Sequence, residues 1–136
     1  MAKMLSEPLQ FGIVSIFPDA SQSIVTLVRN LSAEPISDIT ITFDIALHRD
    51  PSLCHRERVL NGATLGPNES REASLSLNQL ALFKVYWSGN PPRREILDVR
   101  NRNFIGDGWF DVKATLTFRN SDGFLEGREA TAVVGF

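Results

Sequence analysis

The feature that most constrains the fold of this chain is a strict alternation of apolar and polar residues around position 43. Every odd position from 39 to 47 carries a large apolar side chain, and the even positions between them carry Thr, Thr, Asp and Ala. Successive side chains of a strand point to opposite faces, whereas a helix would distribute the same residues around its circumference. The segment is therefore predicted to be a strand with one face in the core and the other in solvent.

A second alternation of the same kind predicts a hairpin near the C-terminus. Residues 110–118 are apolar at every even position, and the run ends in Asn-Ser-Asp-Gly at 120–123. This tetrad is a strong turn signal. Residues 124–136, FLEGREATAVVGF, are therefore predicted to return as the second strand of the hairpin.

Shorter runs predict further strands at 11–17, 23–31 and 72–77, because each is β-branched or alternating and is bounded by Pro, Gly, Asn or Asp. Residues 77–87 fit a helix at their start and a strand at their end, and the Val-Tyr-Trp cluster favours a strand. Short strands separated by turns are typical of an antiparallel sandwich. Since the 136 residues contain no linker, a single domain over 1–136 is predicted.

Two stretches of this pattern carry a resemblance to a known family. The run VRNLSAEPISDITITFDI at 28–45 resembles the second and third strands of bacterial immunoglobulin-like and fibronectin type III-like modules, and LGPNESREASLSL at 65–77 is similar to the Gly-Pro turn and following strand that these modules often have before their fifth strand. The resemblance implies an all-β, antiparallel immunoglobulin-like β-sandwich of about seven to nine strands. It also implies a non-catalytic role in protein binding. A single cysteine rules out the antibody subclass, which needs a cysteine pair.

Charge and composition exclude several classes of function. The net charge of −2 does not supply the positive field on which phosphate binding depends, so no nucleic-acid partner is expected. No apolar run has the length of a membrane span or a signal peptide, so no membrane partner is expected either. The predicted location is the cytoplasm by default, with a virion or secreted location left open. Phosphate-loop and dinucleotide glycine patterns are absent, and no cofactor is expected.

The most chemically suggestive stretch is HRDPSLCHRER at 48–58, which holds both histidines and the single cysteine, His48, His55 and Cys54. Zinc would need three or four such donors in a tetrahedral arrangement, and a nucleophilic thiol would need a base within hydrogen-bond reach. Adjacent residues of an extended chain point in opposite directions, and the chain has no second donor pair, so a metal site is disfavoured. A thiol nucleophile is disfavoured because the sequence identifies neither the third group nor the oxyanion donors that it would need. We expect a turn between strands, with residues 50–52 ending the preceding strand.

Residues 87–109 are predicted to form a long irregular segment with a binding role. Two prolines at 91 and 92 interrupt any strand, and arginines alternate with apolar residues between two tryptophans. Long loops in compact domains often carry function, and Trp and Arg dominate binding hot spots. The alternative is that the tryptophans belong to the core and the arginines pair with nearby acids. The partner-binding residues predicted here are Trp87, Arg93, Arg94, Arg100, Arg102, Phe104 and Trp109.

The end of the chain is the second predicted binding surface. Residues 130–136, ATAVVGF, contain neither charge nor proline, although natural edge strands usually carry such protection against pairing. Val133, Val134 and Phe136 are the predicted contact residues, unless the protein's own sheet covers this strand. Deletion of residues 132–136 is expected to impair assembly more than folding.

These features predict a non-catalytic interaction module that recognises a partner through a loop and an edge strand. The partner is expected to be another protein or a second copy of this chain. The alternative is a structural subunit of a larger assembly, such as a capsid-decorating or filament protein. A Cys/His-dependent enzyme or metal site is the third hypothesis.

Overall fold

The computed structural model describes the chain at residues 7–17, 23–48, 50–76, 81–86, 93–98 and 109–135. These ranges contain no helix and nine strands, which are β1 Leu9–Phe17, β2 Ser23–Asn30, β3 Ile36–Leu47, β4 Asp50–Leu65, β5 Ser70–Ser76, β6 Ala81–Tyr86, β7 Arg93–Asp98, β8 Trp109–Arg119 and β9 Leu125–Gly135. The all-β prediction is confirmed. No described segment forms a helix with the length and hydropathy needed to cross a membrane.

The strands form two antiparallel sheets. The smaller sheet has the order β1-β2-β5, and the larger sheet has the order β7-β6-β4-β3-β8-β9. Within the larger sheet, β4, β3, β8 and β9 are joined by long ladders, whereas the β6–β7 hairpin attaches to β4 through the single pair Cys54 and Phe83. Four strands therefore make up the continuous part of this sheet.

The buried side chains of both sheets belong to one hydrophobic cluster. Strand β3 contributes the odd positions from 39 to 47, each with no more than 1% of its surface exposed, and β8 contributes the even positions from 110 to 118. Leu9, Ile24 and Val28 enter the same cluster from the smaller sheet. The two alternations in the sequence thus marked the core faces of the two central strands of the larger sheet.

The predicted turn at 120–123 joins β8 to β9 and is closed by its first residue. The Oδ1 atom of Asn120 accepts hydrogen bonds from the backbone N–H groups of Asp122 and Phe124, both at 3.0 Å. Gly123 has a φ of 85°, a left-handed conformation that costs glycine little because it has no Cβ. This turn fixes the register in which β9 returns along β8.

At the end of β2, Asn30 ties the β2–β3 connection to the β4–β5 connection. Its side-chain N–H groups donate to the carbonyls of Glu34 and Leu65 at 2.8 and 3.0 Å, and its Oδ1 atom accepts from the backbone N–H of Ser32 at 2.8 Å. Asn30 is fully buried, and its backbone carbonyl also accepts from the N–H of Asn68 at 3.0 Å. The buried amide is therefore fully satisfied, as burial of a polar group requires.

The prediction that residues 48–58 form a turn is wrong for most of this stretch. Only His48 lies in a turn among the described residues, and β4 begins at Asp50. In the ladder with β3, Leu47 pairs with Asp50 but Ala46 pairs with Cys54, so residues 51–53 are extra residues in a bulge. A proline is tolerated there because a bulge does not require its missing N–H, and the strand continues instead of ending.

The irregular segment predicted for 87–109 is also partly wrong, because residues 93–98 form β7. This strand pairs with β6 over six residue pairs, from Tyr86 and Arg93 to Ala81 and Asp98. The strand assignment favoured for 77–87 is confirmed at 81–86. In the sequence, the two prolines at 91 and 92 stand between β6 and β7.

Candidate partner-binding edge

The two sheets end in four edge strands within the described part of the chain, β1, β5, β7 and β9. An edge strand presents unpaired backbone groups, and natural proteins block this edge with charges, prolines or bulges. Strand β5 exposes only Ser, Arg and Glu side chains, and four of the six residues of β7 are charged. Strand β1 has no charge, but a bulge at Val14 interrupts its ladder with β2.

Strand β9 differs from the other three edges along half of its length. It pairs with β8 through eleven consecutive residue pairs with no irregularity, and β8 is its only partner strand in the described residues. The first half, Leu125–Glu129, contains three charged residues and is called the charged segment below. The second half, Ala130–Gly135, contains no charge, proline or bulge and is called the uncharged segment.

The charged segment is held against the start of β1 by Arg128. The Nε atom of this arginine donates to Oε1 of Glu7 at 2.6 Å, and the guanidinium lies 5.3 Å from the ring centroid of Phe118. This position satisfies the distance expected of a cation–π contact with a buried ring. Arg128 therefore combines an ion pair, an aromatic contact and partial burial on this half of β9.

The uncharged segment has one solvent-facing row and one core-facing row. Thr131 and Val133 are exposed, with 56% of Val133 accessible, whereas Ala130 and Ala132 are half-buried. Val134 is only 2% exposed and belongs to the core cluster. The pleat therefore turns the side chain of Val134 toward the core of this protein, and a partner contact at this residue stays a prediction.

This burial also changes the expected effect of truncation. Residues 132–135 pair with residues 109–112 of β8, and removal of Val134 would take a side chain out of the core. A deletion of residues 132–136 is therefore expected to damage folding as well as assembly. Substitution of Val133, whose side chain faces solvent, separates an effect on assembly from an effect on folding better than the deletion does.

The outer face of the larger sheet next to this segment is crossed by ion pairs. Arg56 Nε donates to Asp44 Oδ1 at 2.6 Å, and Lys113 Nζ lies 3.7 Å from Glu129 Oε1. The hydrogen bond from Arg56 to Asp44 and the negative charge of Asp44 raise the pKa of Arg56 above the ordinary value, so this arginine stays charged. Between these pairs lies a shallow depression of about 570 Å³, whose lining includes Ala46, Cys54 and Val133.

The histidines and the cysteine of residues 48–58 do not converge, because His48 and Cys54 lie on this face whereas His55 pairs with the buried Ile45 on the opposite face. His48 Nδ1 is 3.0 Å from Asp111 Oδ2, and His55 Nε2 is 3.4 Å from Glu57 Oε1. Cys54 is exposed. In the ranges that the structure describes, no three His, Cys, Asp or Glu side chains are grouped in a way that would hold a metal ion.

The binding residues predicted between 87 and 109 are only partly described. Arg93 and Arg94 lie at the start of β7, opposite Tyr86 and Val85, and Trp109 is the first residue of β8. Trp87, Arg100, Arg102 and Phe104, together with Phe136, lie outside the described residues. A binding role for this segment stays a prediction.

Two exposed apolar residues were not predicted from the sequence. Phe124 and Leu125 follow the 120–123 turn and are 71% and 62% exposed. Their place in the sequence, directly after Gly123 and before the alternation of β9, could have indicated exposure. Large apolar residues at that place are equally typical of the start of a half-buried strand, so the sequence did not distinguish the two.

Comparisons with known proteins do not assign a family. No family model matches the chain, and no curated protein matches it.

Proposed function

We propose that this protein is a non-catalytic binding module with an immunoglobulin-like β-sandwich fold, and that it binds an extended segment of a partner protein along β9. Binding of this kind adds a strand to an exposed sheet edge, so that backbone hydrogen bonds supply affinity and side-chain rows supply specificity. The uncharged segment is the part of β9 that would accept the added strand.

The strand order supports the immunoglobulin-like part of this proposal. In that fold, the first, second and fifth canonical strands, A, B and E, share one sheet, and strands G, F and C share the other, with C′ added beside C in some members. The orders β1-β2-β5 and β9-β8-β3-β4 correspond to A-B-E and G-F-C-C′. The β6–β7 hairpin is then an insertion between strands E and F.

The observation that carries the binding proposal is the combination of a regular ladder and an unprotected edge in one segment. In an antiparallel strand paired on one side, alternate residues direct their N–H and C=O groups away from the partner. Residues 130–135 themselves carry no charged side chain, and no bulge interrupts the row that these groups form. Such a row is a template for another strand.

The test immobilises three versions of this protein and compares the binding proteins that each one retains, which mass spectrometry identifies. The wild type is compared with Val133→Lys, which places a charge on the uncharged segment, and with Val14→Lys, which places the same charge on an equally exposed valine of β1. We expect a protein that is retained by the wild type and by Val14→Lys but lost from Val133→Lys. Identical retention by all three folded proteins would contradict the proposal.

A structural subunit is the second candidate, because the uncharged segment would not repel its own copy. Two copies of residues 130–135 can pair antiparallel without placing like charges opposite each other. Light scattering over a wide concentration range distinguishes the candidates. A binding module stays monomeric without its partner, whereas a structural subunit associates in the wild type and dissociates in Val133→Lys.

A further inference from the structure

The side-chain rows beside the uncharged segment restrict what an added strand can carry. We infer that the partner segment is antiparallel to β9 and has an apolar residue opposite Val133 and a basic residue opposite Glu129, four positions further along. This inference rests on the proposed function, since it specifies the ligand of the same edge.

The register of the larger sheet defines the rows. On the outer face, Asp111 of β8 lies beside Val133, Lys113 lies beside Thr131, and Thr115 lies beside Glu129. An added strand would extend each row by one residue, at the usual strand separation of about 4.8 Å. Its outward residues would therefore meet Val133, Thr131 and Glu129 directly.

The identity of those three residues selects the partner's outward side chains. An apolar residue opposite Val133 would bury a side chain that is 56% exposed, while an acidic residue there would gain nothing from it. A hydroxyl or β-branched residue fits opposite Thr131. Glu129 lies 3.7 Å from Lys113 of β8, but its side chain stays 61% exposed, so opposite it a basic residue is favoured and an acidic residue is repelled.

The inward row selects for apolar residues as well. Ala130 and Ala132 are half-buried, and their β8 neighbours, Ala114 and Val112, belong to the core. Apolar side chains of the partner opposite these two alanines would cover the exposed margin of the core. The expected segment therefore reads apolar, apolar, hydroxyl, apolar, basic in the antiparallel direction, from Val133 to Glu129.

The antiparallel direction of the partner segment is inferred from the pairings within the larger sheet. Every described pairing in the larger sheet is antiparallel, and antiparallel pairing is slightly more stable for each residue than parallel pairing. In a parallel complex the basic residue would instead precede the apolar one by four positions.

The probe is a pair of synthetic peptides titrated into the ¹⁵N-labelled protein and followed by NMR. One peptide contains the sequence Ser-Val-Val-Thr-Val-Lys, and the other has Glu in place of the Lys. Both carry an N-terminal acetyl group and the same C-terminal Gly-Ser tail. We expect amide shifts confined to β9 and binding of the Lys peptide about three- to tenfold tighter than the Glu peptide, from a favourable against a like-charge pair.

The matched protein variant is Glu129→Gln, which keeps the shape of the side chain and removes its charge. In this variant the two peptides are expected to bind equally. Equal binding of both peptides to the wild type, or a preference that persists in Glu129→Gln, would overturn this inference while leaving strand addition intact. Absence of β9 shifts with either peptide at millimolar concentration would overturn the proposed function too, and shifts that depend on protein concentration alone would point to a second copy as the occupant.

Discussion

Strands β1 and β9 are both edge strands in the described sheets, and each carries a valine with about half of its surface exposed. Val14 is 52% exposed on β1 and Val133 is 56% exposed on β9. The difference lies in the backbone, because β1 is bulged at Val14 whereas β9 is regular through all eleven of its pairs. An exposed apolar side chain therefore does not distinguish these two edges; the regularity of the ladder beneath it does.

The largest predicted effect separates the two faces of β9. Val134→Asp places a carboxylate in the core without a partner, and we expect it to reduce the free energy of unfolding by more than about 3 kcal/mol. Val133→Asp is the matched control, with an expected loss of no more than about 1 kcal/mol, because the side chain faces solvent and only Asp111 opposes it across the ladder. Urea denaturation measures both. Similar losses in the two variants would mean that the inward and outward rows of β9 are not as described.

A smaller effect is expected in the charged segment. Arg128→Ala removes the ion pair with Glu7 and the contact with the Phe118 ring, and we expect a loss of about 1 kcal/mol, since the arginine is only partly exposed. Arg71→Ala on the edge strand β5 is the control, where we expect almost no change. The measurement is thermal unfolding of both variants at low and high salt. We expect added salt to reduce the stability loss of Arg128→Ala only in part. An unchanged Arg128→Ala protein would remove this residue from the account of β9.

Removal of the bulge in β1 would test whether the bulge accounts for the difference between β1 and β9. Ile13 pairs with Thr26 and Ser15 pairs with Val25, so deletion of Val14 leaves both flanking registers in place and makes the ladder continuous. We expect stability to change by less than about 1 kcal/mol and the straightened β1 to gain concentration-dependent self-association. Light scattering provides the measurement. A deletion variant that stays as monomeric as its parent would argue that the bulge is not what protects β1.

The smallest effect is expected at the β8–β9 turn. Phe124→Ser removes a ring that is 71% exposed, so stability should change by no more than about 0.5 kcal/mol. Peptide binding to the uncharged segment should also stay unchanged, because Phe124 precedes the charged segment. A marked loss of peptide affinity in this variant would extend the binding surface beyond the second half of β9.

Much of this fold was predictable because its central strands alternate. The odd residues from 39 to 47 of β3 and the even residues of β8 have no more than 2% of their surface exposed, and this periodicity is visible in the sequence. The turn at 120–123 was equally predictable, since its Asn and Gly have local roles that do not depend on the rest of the chain.

Strand β4 shows why other parts were not predictable. Its residues 56–58 are exposed one after another, so the strand has no alternation there, and Pro51 suggested a break where the structure has a bulge. The burial of Val134 and the pairing that places β9 at an edge of the described sheet depend on contacts between distant residues. Those are properties of strand order, which local patterns do not encode.

The central claim is that the uncharged segment of β9 has an unpaired edge in the isolated protein, and amide hydrogen exchange followed residue by residue by NMR at low concentration tests it most directly. We predict alternation over residues 130–135, with slow exchange for amides that donate to β8 and fast exchange for those that point away from it. Slow exchange of every amide in this segment would contradict the account, because it would mean that another strand already covers the edge.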